Sequence, residues 1–120
     1  DGEIVSIHDA TLHRVSDGTG KVFDMTYAEL LEFDFGFKHG EKFKGMKILR
    51  FEDILKKFAC HTIMNIHIKT EHSKDPADYE NLKKIISIVD KYDCRKHVYF
   101  MSGNNNVLEA LSKLAPDICR

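Results

Sequence analysis

Thr62-Ile63-Met64-Asn65-Ile66-His67-Ile68-Lys69 places Asn65, His67 and Lys69 at spacing two among β-branched isoleucines. That alternation reads as a strand with its three polar groups on one face. Downstream, Asp75-Pro76 has the form of an N-cap followed by a proline at the first helical position, and Leu82, Ile85, Ile86 and Val89 then recur at i, i+3, i+4 and i+7. The stripe predicts a helix ending near Tyr92 or Asp93. Val98 to Met101 reads as the next strand, and Val107, Leu111 and Leu114 mark a last helix stopped by Pro116.

Working back toward the amino end, Phe51 to Phe58 predicts a short helix and Phe33 to Lys47, with Gly36, Gly40 and Gly45, an irregular excursion. Thr26-Tyr27-Ala28-Glu29 has the capping-box form, with Met25 and Leu30 placed to staple it, so a helix is expected over Thr26 to Glu32. Asp9 to Asp24 is a loop with a tight hairpin at Asp17-Gly18-Thr19-Gly20, and Ile4 to His8 a short strand. Strand, loop and helices, strand, helix, strand, helix is an α/β order. The crossovers are long enough to make the strands parallel neighbours.

The chain has 120 residues, 42% hydrophobic and 31% charged, the size and composition of one ordinary soluble domain. Eighteen Lys and Arg against nineteen Asp and Glu leave a formal charge of −1, hence no overall electrostatic footprint for nucleic acid or an anionic membrane surface. No apolar run approaches the ~20 residues of a membrane span. The chain begins at Asp1 without Met, and the half-turn Asp1-Gly2 before an apolar run predicts a fragment of something longer. Cys60, Cys94 and Cys119 are odd in number and lack C-x-x-C spacing, so free or buried thiols are expected.

Polar side chains on the core face of a parallel strand are the anomaly that points to chemistry, because such strands are normally apolar on both faces. Ser6 and His8 share a face of the first strand, and His67 and Lys69 lie at the carboxyl end of the other. Ligands of parallel α/β sheets and barrels gather at that end. Imidazole and ammonium groups there suit an anionic substrate. Spacing alone gives His67 no metal partner. The glycines of Asp17-Gly18-Thr19-Gly20 lack the strand-before, helix-after setting of a nucleotide loop and read as a turn. His13, His39, His61, His72 and His97 read as surface histidines. No G-x-S-x-G elbow is present.

The run from Asp1 to Val22, with its DG turn, His8-Asp9, Thr11-Leu12-His13-Arg14 and Asp17-Gly18-Thr19-Gly20-Lys21-Val22, resembles the glycerophosphodiester phosphodiesterase family. Later pieces match in order: Thr26 to Leu31 is similar to a "TxxEL" helix, Phe51 to Leu55 to "LEEVL", and Met64 to Lys69 to "LNIEIK". Leu114-Ala115-Pro116-Asp117 is similar to a segment further on. The resemblance implies a TIM barrel with an insertion after the His-Asp strand, of which residues 1–120 would be about half, the insertion lying at about 9–50. It implies metal-dependent hydrolysis of a phosphodiester to an alcohol and glycerol 3-phosphate, with two histidines as general acid and base.

His8 matches one of those histidines, and Lys69 matches a lysine beside the substrate phosphate. A divalent cation, Mg or Ca in the family, is implied on a Glu-x-Asp motif and on the Glu of "NIEIK". His67 stands at that last position and is therefore the candidate metal ligand, a change that biases the site away from hard cations. The first histidine's His-Arg-Gly motif and the Glu-x-Asp motif belong just upstream of Asp1. Leu49-Arg50 replaces the Pro-Thr usual before "LEEVL". The expected function is that of a phosphoric diester hydrolase acting on a small glycerophosphodiester, the fragment by itself being nearly inactive. The rival from another class is a barrel-derived binding module with a degenerate metal site. A third, a phospholipase D of the sphingomyelinase type, requires other upstream motifs. Self-association is expected of a half barrel with exposed strand edges.

Overall fold

A computed structural model describes all residues, 1–120. The chain forms two compact units, Asp1–Phe51 and Glu52–Arg120.

In the first unit, β1 (Val5–Ser6) pairs antiparallel with β2 (Leu49–Arg50), Val5 opposite Arg50 and Ser6 opposite Leu49. The strand expected over Ile4 to His8 is thus shorter, and its partner is an antiparallel segment. The pairing is extended when Phe51 N–H donates to the Ile4 carbonyl at 2.7 Å. After His8 the chain runs into the expected hairpin, where Thr11 bridges Lys21, Leu12 N–H reaches the Gly20 carbonyl and Val22 N–H the Ala10 carbonyl.

Helix α1 (Tyr27–Leu30) is a single turn started by Thr26, whose hydroxyl accepts from Glu29 N–H while the Glu29 carboxylate accepts from Thr26 N–H. It ends earlier than Glu32, because Glu32 and Phe33 tighten onto the carbonyls three residues back. The core of this unit is Leu12, Val22, Leu30 and Ile48, with Phe33 and Phe35 among the half-buried side chains packed on it. Residues 36–47 contain only short 3₁₀ turns, as expected of an irregular excursion.

The second unit carries the α/β pattern. Helix α2 (Phe51–Phe58) starts at the end of the first unit. β3 (Met64–His67) and β4 (Val98–Met101) pair in parallel, Met64 opposite Val98 and His67 opposite Met101. The crossover is α3 (Tyr79–Lys91), which buries Leu82, Ile85, Ile86 and Val89 as its spacing predicts. It begins later than Asp75-Pro76 because Asp75 is committed elsewhere. Its carboxylate accepts from His72 N–H, and Asp78 is the N-cap, accepting from Asn81 N–H. After β4, α4 (Asn105–Leu114) is capped by Asn104 and ends just before Ala115-Pro116.

Val98 and Phe100 are buried on one face of the β3–β4 pair, beside the half-buried Met64 and Ile66. The opposite face carries Asn65, His67 and Lys69 and is exposed rather than part of a core, correcting the expectation from spacing. The cysteines are free thiols, Cys94 buried and the other two exposed. His97 is half-buried with Nδ1 unpartnered, unlike the exposed His13, His39, His61 and His72. No helix is long and apolar enough to cross a membrane.

Candidate functional site

His8 lies just past the end of β1, where the chain leaves the sheet and turns into the hairpin. The adjoining Asp9 and the downstream Arg14 fold back onto it. Nδ1 of His8 is 2.5 Å from Oδ1 of Asp9, and a carboxylate can only accept, so Nδ1 carries the proton of that bond. Arg14 grips the same carboxylate with two nitrogens, Nε to Oδ2 at 2.6 Å and Nη2 to Oδ1 at 2.5 Å. Its Nη2 is also 3.0 Å from His8 Nδ1.

The planar guanidinium matches a carboxylate fork and fixes its orientation. The Arg14 guanidinium first, and His8 second, hold the Asp9 carboxyl down at about 2. The ionised Asp9 carboxylate keeps the proton of His8 on Nδ1. The sequence pointed to His8. It did not reveal that Arg14 organises the histidine, although the spacing from Asp9 to Arg14 across a turn was the available signal.

The second unit presents His67 and Lys69 on the exposed face of β3, one pleat repeat or roughly 7 Å apart along the strand. Asn65 precedes them on that face and donates from Nδ2 toward Sδ of Met101 at 3.8 Å. Ile68 N–H donates to the Met101 carbonyl at 2.8 Å, so the ladder holds the backbone up to Lys69. The following loop is tied down by Asn104, buried at the start of α4. Its Nδ2 lies 3.1 Å from Thr70 Oγ1, 3.3 Å from the His72 carbonyl and 3.0 Å from the Asp75 carbonyl. Its Oδ1 caps the helix by accepting from Asn106 N–H. Asn104 carried no sequence signal beyond being a common N-cap type.

Nowhere do three or more His, Cys, Asp or Glu side chains converge as a metal site would require. These residues by themselves do not fit a divalent ion.

The sequence matches the model of the glycerophosphoryl diester phosphodiesterase family over residues 1–119. The chain belongs to that family. Within it, a glycerophosphodiester phosphodiesterase of Caldanaerobacter subterraneus is 33% identical over 119 residues, covering 98% of this chain and 48% of the relative. A glycerophosphodiester phosphodiesterase from Agrobacterium tumefaciens superposes with a TM-score of 0.81 at 24% identity, over 95% of this chain and 46% of the other. A phosphodiesterase of Oleispira antarctica, solved with the product sn-glycerol-3-phosphate, superposes with a TM-score of 0.72 at 21% identity, over 96% of this chain and 46% of the other. The chain spans about half the length of the relatives it matches. Its fold is correspondingly part of the family's TIM-barrel architecture, without a closed barrel.

Proposed function

We propose that this glycerophosphodiester phosphodiesterase chain contributes the histidine that protonates the leaving alcohol when a glycerophosphodiester is hydrolysed to glycerol 3-phosphate. The observation that carries the reading is the His8–Asp9–Arg14 arrangement, within a family match over residues 1–119. A water oxygen bonds to phosphorus as the water gives a proton to the second histidine that the resemblance implies, the bond from phosphorus to the alcohol oxygen breaks, and the departing alkoxide takes the proton from Nε2 of His8. Asp9 orients the ring through Nδ1, and Arg14 keeps Asp9 ionised and oriented. Lys69 is matched by resemblance alone to the family's lysine beside the substrate phosphate, an ammonium being a suitable point charge for a phosphate. His67, on the same face, is assigned to the metal position by resemblance alone. Residues 1–120 make up part of one phosphodiesterase domain, with 9–50 as its insertion.

The test is release of glycerol 3-phosphate from glycerophosphocholine. It compares the 120-residue chain with a chimera in which this chain replaces the matched 119 residues of the Caldanaerobacter enzyme. The chain alone should give no more than a trace, and the chimera should turn over. His8→Gln in the chimera should lower the rate by about 10²- to 10⁴-fold, the usual share of a general acid. Hydrolysis by the isolated chain at the rate of a full-length relative, or full activity of the His8→Gln chimera, would overturn the proposal.

A further inference from the structure

Between Asp34 and Lys47 the chain makes a loop whose ends are pinned together and whose body faces water. The Asp34 carboxylate is the pin, accepting from Gly36 N–H through Oδ1 and from Gly45 N–H through Oδ2, each at 2.8 Å. Phe35 N–H donates to the Met46 carbonyl at 2.8 Å, closing the neck. Asp34 is itself fixed, since its N–H donates to Asp17 Oδ1 at 2.8 Å and its carbonyl accepts from Asp17 N–H at 3.2 Å. The two limbs touch at Gly36, where a Cβ would stand 1.6 Å from the Phe43 carbonyl oxygen. Lys38 Nζ adds a tie to the His13 carbonyl. These are the marks of a compact Ω-loop rather than of a slack connection.

All residues from Phe37 to Lys47 are exposed. Phe33 and Phe35 pack against the core of the unit, yet Phe37 is 51%, Phe43 36% and Met46 52% exposed. The same segment holds Lys38, Lys42, Lys44 and Lys47 with a single acid, Glu41, which pairs with Lys44 at 2.7 Å, so residues 36–47 carry four positive charges against one negative. The chain as a whole has a formal charge of −1, which conceals this local net of +3. A loop pinned at its neck that exposes phenylalanine and methionine among lysines suits a partner that is apolar beneath an anionic surface. A bilayer interface has that layered chemistry, whereas a duplex offers phosphate without an apolar layer.

We propose that residues 36–47 form a docking loop for a lipid bilayer bearing anionic headgroups, Phe37, Phe43 and Met46 entering the interface and the lysines meeting the headgroups. The proposal uses no catalytic residue and stands independently of the reading of His8.

Sedimentation of the 120-residue chain with vesicles tests it, using phosphatidylcholine alone or with ~30% phosphatidylserine, at ~0.05 M and ~0.5 M salt. The chain should sediment with the anionic vesicles and be released from them by salt. Lys42→Glu with Lys44→Glu should weaken association at least about tenfold, and Phe37→Ser with Met46→Ser should weaken it at unchanged charge. Lys83→Glu with Lys84→Glu, on α3, should leave it unchanged. Because the chain has no Trp, Met46→Trp supplies a single reporter whose emission should shift to the blue on anionic vesicles only. Equal retention by neutral vesicles, an unshifted reporter, or an equal loss from the α3 variant would overturn the proposal. Tighter retention by a single-stranded oligonucleotide than by anionic vesicles would also overturn it, assigning the loop to nucleic acid.

Discussion

Arg14 fixes the charge state of Asp9 by direct pairing, against the pull of desolvation toward the neutral acid. Replacing it should release Asp9. In Arg14→Ala the Asp9 carboxyl should titrate well above its value of about 2, approaching the usual carboxylate range, as followed by the carboxyl carbon signal in NMR. An unchanged titration would mean that His8 alone holds the carboxylate down. The sequence made His8 conspicuous because a histidine at the end of an apolar strand is out of place. Arg14 was inconspicuous, since an arginine in a polar loop is ordinary until the turn brings it back to Asp9.

Among the elements, α4 illustrates how one side chain can hold two segments that are distant in sequence. Asn104 caps the helix and donates to the His72 and Asp75 carbonyls of the loop after β3. Asn104→Ala should destabilise the protein by about 2–4 kcal/mol, from loss of the cap and of the buried hydrogen bonds, as measured by urea unfolding. A loss within a few tenths of a kcal/mol would show that water replaces the amide at no cost. Elements governed by local periodicity were legible in the sequence: the α3 stripe and the Val98–Met101 strand lie where their patterns put them. β2 was not legible, because two residues show no alternation and the pairing is settled by β1, far away in sequence. The start of α3 was misplaced for a related reason. Asp75-Pro76 has the local form of a helix start, but Asp75 serves the loop that Asn104 holds. On β3 the alternation identified which polar groups share a face, whereas the exposure of that face depends on which side the helices cover.

Taken over the whole molecule, the perturbed carboxylates all shift in the same direction. Paired groups hold Asp9 low in the first unit, and the Gly45 and Gly36 amides hold Asp34 low. In the second unit the Arg95 guanidinium lowers both Asp90 and Asp117. A carboxyl that is more acidic folded than unfolded stabilises the fold above its unfolded value, and that contribution is lost as pH falls through the folded one. The thermal midpoint should therefore be nearly flat from about pH 7 to 5 and decline below about pH 4, with Asp9 contributing down to about 2. In Arg95→Ala the acid limb should be shallower; an identical limb would remove Asp90 and Asp117 from the account. The last consequence concerns β4. It pairs with β3 along one side, and on the other Tyr99 bridges Cys119 while Phe100 N–H donates to the Cys119 carbonyl. Opening it requires two neighbours to be shed at once, so the amide protons of Val98–Met101 should be the last of the second unit to exchange with solvent, as hydrogen exchange would read.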